Sequence, residues 1–94
     1  MKTIEWQENK SKQILETSTS CCGLHAYIDY NEFFTNNNKV YVGNEEAILM
    51  DYITLEQRLN ITNENDLNKL KELALELLRK NLLEYLNEIN EFLN

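Results

Sequence analysis

The chain has 94 residues, of which 43% are apolar and 27% charged, a balance that supports one compact domain around a single core and excludes a disordered tail. Sixteen Asp and Glu against nine Lys and Arg give a net charge of -7. That charge repels nucleic-acid phosphates and anionic membranes, so direct binding to either is not expected and a basic protein surface is the natural complement. The run 1–12 is polar, and no stretch approaches the roughly 20 apolar residues of a bilayer span. Cys21 and Cys22 are neighbours, a geometry that opposes a mutual disulfide, so reduced thiols and a cytoplasmic setting are the consistent expectation.

In chain order, Ile4 and Trp6 alternate with polar residues and predict a strand over 3–7, a turn over 8–11 and a returning Thr- and Ser-rich strand within 13–22. Over 24–30 the period of two is clean. Leu24, Ala26, Ile28 and Tyr30 share one face and His25, Tyr27 and Asp29 the other, as in a half-buried strand. Asp29 and Glu32 fit the cap of a short helical turn through Phe34, and Asn36, Asn37 and Asn38 mark a turn because asparagine tolerates left-handed backbone angles. Another strand is expected over 39–42, ended by Gly43 and Asn44.

Two readings compete for 45–53. Gly43 and Asn44 suit a hairpin followed by a strand, whereas Asn44 also suits the cap of a helix opened by Glu45 and Glu46. Ile48, Tyr52, Leu55 and Leu59 recur at three and four residues, while strand alternation breaks at Ile48, Leu49 and Met50, so the helix is preferred. Thr54 and Gln57 match a capping box for a helix to about Asn60, which with the following helix has a helix-turn-helix cadence.

The final helix is the best-marked element. Thr62 and Asn63 precede Glu64 and Asp66, supplying a cap and first-turn acids, and the apolar periodicity then continues to the end of the chain. At about 100° per residue, Leu70, Leu73, Ala74, Leu77 and Leu78 cluster on one side, and Leu82, Tyr85, Leu86, Ile89 and Leu93 cluster a quarter-turn further round. Such a helix is about 45 Å long, far more than a domain of this size encloses, so it breaks near Asn81 into two antiparallel pieces, or frays, or projects to meet another chain. Glu84, Glu88 and Glu91 form an acidic flank on its far part.

Cys21, Cys22, His25 and Asp29 are the one group resembling a reactive cluster, as zinc ligands or as a thiol nucleophile with a histidine base. Adjacent cysteines rarely reach one metal, and no Lys or Arg stands close in sequence to lower a thiol pKa, so ordinary thiols are the plainer reading. Neither a catalytic residue nor a cofactor or metal is assigned.

Together these features predict an α+β domain over 1–94, with a small antiparallel sheet from the N-terminal half covered by C-terminal helices, one of them long. The expected function is non-enzymatic protein binding. In general character, though by no motif, the chain resembles the small acidic inhibitors of phages and mobile elements, including anti-CRISPR proteins, which would block a basic nucleic-acid-binding surface. Immunity proteins or antitoxins that neutralise a nuclease toxin are the alternative, followed by a thiol or metal enzyme using Cys21, Cys22 and His25, or a helix-turn-helix regulator. Partner contact is assigned to Glu84, Glu88, Glu91, Tyr85 and Phe92, with a homodimer through the C-terminal helix as a further possibility.

Overall fold

A computed structural model describes residues 4–31, 38–45 and 48–93. Five strands, β1 (Trp6–Asn9), β2 (Ile14–Thr17), β3 (Leu24–Asp29), β4 (Lys39–Asn44) and β5 (Leu49–Thr54), form one antiparallel sheet in sequential order, and α1 (Glu64–Leu93) follows. The chain is therefore α+β, as its patterning predicts. The alternation of β3 sets the layers. Leu24, Ala26 and Ile28 face inward and pair with Asn44, Val42 and Val40 of β4. Over this layer α1 lays Leu70, Ala74, Leu77 and Leu78, completing the buried core. Each fully enclosed aliphatic side chain, such as Ile28, Val40, Val42 or Leu70, contributes about 1.5–3 kcal/mol.

The first hairpin is shifted from its expected place. Asn9 accepts hydrogen bonds through Oδ1 from Ser11 Oγ (2.8 Å) and the Lys12 amide (3.2 Å), and Gln13 takes a left-handed φ of 55°. The side chain of Asn9 thus closes the turn later than 8–11, and β1 extends to meet it. Of the helical turn expected from Asp29 through Phe34, residues 32–34 lie outside the described residues, as do Asn36 and Asn37; Asp29 itself ends β3. Asp29 Oδ1 accepts the Asn31 amide at 2.9 Å.

The preferred helix over 45–53 is not formed; that stretch holds β5. Asn44 accepts the Ile48 amide on Oδ1 (3.0 Å) and donates its own amide to the Ile48 carbonyl (3.3 Å), which turns the chain back on β4. Val42 pairs with Asp51 and Gly43 with Leu49, so Met50 is the extra residue of a β-bulge. This bulge is the physical reason that alternation fails at Ile48, Leu49 and Met50. Gly43 is required at the bulge, because a Cβ there would lie 2.9 Å from the Ile48 carbonyl oxygen and 3.3 Å from the Tyr27 ring.

The capping-box helix of 54–60 is also absent, and with it the helix-turn-helix. The amides it needed are taken by a residue from far away: the Asn38 carbonyl accepts the Leu55 amide (2.9 Å), and Asn38 Oδ1 accepts that of Leu59 (2.6 Å). Arg58 Nη2 donates to the Tyr30 carbonyl at 2.6 Å. Long-range partners therefore hold this run in a bent, non-helical path against a local helical signal.

For α1 the expected boundary holds. Asn63 Oδ1 accepts the Asp66 amide (3.1 Å), the geometry of an N-cap, and Glu64 and Asp66 occupy the first turn. The helix then runs 30 residues without interruption, so it does not break at Asn81. Asn81 is buried and donates through Nδ2 both to Asp51 Oδ2 of β5 (3.1 Å) and to the Leu77 carbonyl (2.9 Å), pinning the helix at the point where the sequence pattern changes face.

Candidate interaction surface

Along α1, Lys69 and Leu73 face Leu55, Asn81 meets Asp51, and Tyr85 Oη lies 3.8 Å from Met50 Sδ. Helix and strand therefore run in opposite directions, and β5 ends at Leu49 just after the helix has passed it. Beyond Tyr85 the helix continues for about two turns, roughly 12 Å, with no strand opposite among the described residues. Every residue from 83 to 93 is exposed. This stalk accounts for the 47 Å long axis of the molecule.

The stalk is divided lengthwise. At about 100° per residue, Phe92, Tyr85, Ile89, Leu93, Leu86 and Leu83 occupy one half of its circumference, together with Asn90. Glu84, Asn87, Glu88 and Glu91 occupy the other. The apolar half is strongly exposed: Leu86 51%, Ile89 55%, Leu93 78% and Phe92 89%. All five residues assigned to partner contact thus stand on the stalk, with Glu84, Glu88 and Glu91 on the acidic half and Tyr85 and Phe92 at its border. None of the three carboxylates has an ion-pair or hydrogen-bond partner among the described residues.

The apolar surface does not end at the helix. Through the Tyr85–Met50 contact it continues toward the start of β5, where Ile48, Leu49 and Met50 are exposed. The helical spacing of Ile48, Tyr52, Leu55 and Leu59 hides this extension in the sequence. A run apolar on both strand faces and placed at a sheet edge was the available signal.

The reactive-cluster residues are arranged otherwise. Cys21 and Cys22 are both exposed free thiols at the turn before β3, with Cys22 in a left-handed conformation, φ 53°. His25 is half-buried and its Nδ1 lies 2.8 Å from the Thr17 carbonyl, which can only accept, so the proton sits on Nδ1 and holds the ring against β2. Among the described residues no group of three or more His, Cys, Asp and Glu converges as metal ligands would.

The sheet face turned away from α1 carries a second group of side chains. Tyr27 and Tyr41 stack with centroids 4.6 Å apart, and Lys39 Nζ stands 5.4 Å from the Tyr41 ring and 5.5 Å from that of Tyr52. Burial, with Asp29, Tyr27 and Glu16 nearby, pushes the Tyr41 hydroxyl up to about 12. Burial and then Glu16 and Glu45 raise that of Tyr27. These phenols stay protonated and serve as donors and stacking surfaces. A depression of about 180 Å³ beside them is lined by residues including Glu16, Glu45 and Lys12.

Among the described residues no helix is long and apolar enough to cross a membrane. Comparison with known proteins finds no family model, curated relative or solved structure that matches this chain.

Proposed function

We propose that this protein is a non-enzymatic protein-binding domain that works through its helical stalk, whose carboxylate half docks on a basic protein surface. The observation that supports this reading is the division of residues 83–93: they add little to the core, yet sort apolar and acidic groups onto opposite halves. Charge on the scale of -7 steers encounter with a cationic surface over about a Debye length, ~8 Å at physiological salt. Tyr85 and Phe92, beside Glu88 at the border, then supply desolvated anchoring contacts.

A basic surface that holds nucleic acid is the target an acidic stalk competes for most directly, so the proposed mechanism is inhibition by occlusion. An anti-defence inhibitor of phage type and an immunity protein against a nuclease are the two biological forms of this mechanism.

The test replaces Glu84, Glu88 and Glu91 by Lys together, at exposed positions where the fold should persist. Native and substituted proteins are used as baits in host extract, and association with the captured target is timed at several salt concentrations. Native protein should associate fast at low salt and much more slowly at high salt; the variant should be slow throughout and nearly salt-insensitive. Equal rates and equal salt slopes would remove the electrostatic mechanism.

A further inference from the structure

We infer that the apolar half of the stalk is covered by the same half of a second copy, in an antiparallel two-fold pairing of the far ends of α1. The inference rests on the reading of the stalk as a protein contact and names the occupant of its neutral half. Leu82, Leu86, Ile89 and Leu93 recur at intervals of four, three and four, the seam spacing of a helix that packs against another helix. The intervals read the same in either direction. A two-fold axis between residues 87 and 88 therefore sets Leu82 against the partner's Leu93 and Leu86 against the partner's Ile89, with Leu83 on the flank beside the partner's Asn90. In a parallel pairing Leu83 would instead face the partner's Leu78, a position only 5% exposed because it lies under the sheet.

Charge placement selects a copy over a cationic partner on this half. Two chains of -7 repel one another unless their carboxylates stay away from the seam. The flanking positions are Leu83, Tyr85, Asn90 and Phe92, all neutral, while Glu84, Glu88 and Glu91 point to the opposite side. Two stalks can thus meet without a like-charge contact, and a basic surface would find no counter-charge there. Leu86, Ile89 and Leu93, 51%, 55% and 78% exposed, are the side chains this pairing covers, while Tyr85 and Phe92 on the Glu88 side stay open to the target. The paired stalks then present both sets of carboxylates outward, a doubled acidic ridge for the basic target.

The test is sedimentation of the full chain over a wide concentration range. The native protein should reach twice the mass of one chain, and Leu86→Glu with Ile89→Glu should return it to the mass of one chain while the β-sheet circular dichroism persists. Glu84→Gln with Glu91→Gln should remain dimeric. In a background lacking Cys21 and Cys22, a mixture of Leu86→Cys and Ile89→Cys chains should form the mixed disulfide in preference to either symmetric one. A single-chain mass at every concentration, a dimer that survives Leu86→Glu with Ile89→Glu, or preferential disulfide formation between two Leu86→Cys chains would each overturn the pairing. A monomer whose target capture is still lost on reversing Glu84, Glu88 and Glu91 would sink this inference and leave the proposed function standing.

Discussion

Residues 64–82 and 83–93 belong to one uninterrupted helix, but only the first stretch is part of the body. In the near part, Leu70, Ala74, Leu77, Leu78 and Asn81 are buried against β3, β4 and β5 and the end is capped by Asn63. In the far part nothing is buried, the last turn holds no basic residue, and Glu88 and Glu91 oppose the macrodipole. The far part is helical by propagation from a docked nucleus, because extending a helix is far easier than starting one. A helix can therefore be continuous in backbone and divided in energetics, with the loosely supported end free for binding.

That contrast can be broken by substitution. Leu70→Ala removes a fully buried side chain and should lower unfolding free energy by about 2–5 kcal/mol in chemical denaturation. Asn38→Ala should follow at about 1–3 kcal/mol, since it empties a fully buried site and leaves the part-buried Leu59 amide without the Oδ1 that now accepts it. Asn63→Ala, which removes the cap of the near part, should lower stability by about 1 kcal/mol. Ile89→Ala should change stability by less than about 0.5 kcal/mol in dilute solution. A loss from Ile89→Ala as large as that from Leu70→Ala would show that the far part carries the fold.

Alkali sharpens the same comparison. The Tyr41 and Tyr30 hydroxyls titrate near 12 in the folded chain against 10.0 for the free group. Their neutral forms are favoured by folding, so the associated stability is complete below pH 10 and disappears as pH rises from 10 toward 12. Circular dichroism through that interval should show the sheet losing stability, with a shallower slope in Tyr41→Phe.

How far these two regions were legible from sequence depends on the range of the interactions that fix them. The face of β3 and the start of α1 follow from local periodicity and from Asn63, Glu64 and Asp66, and the structure repeats both. The carboxylate and aromatic residues of the stalk were legible for the same reason. β5 was not, because a bulge opposite Gly43 broke its alternation and gave Ile48, Tyr52, Leu55 and Leu59 a fortuitous helical spacing. Residues 54–60 failed likewise, since Asn38 competes from across the fold for amides that the local pattern assigned to a helix.

Asn38 has one more consequence. It sits immediately before β4, fully buried, and grips the segment that delivers the chain to α1. If β4 slipped by one residue in pairing, every side chain on it would change faces, and the tether would swing away from the amides of Leu55 and Leu59. The path of the chain into the helix and the alignment of the sheet are thus coupled through one residue, by its carbonyl to Leu55 and its side chain to Leu59, so a misaligned sheet loses the tether that brings its helical cover.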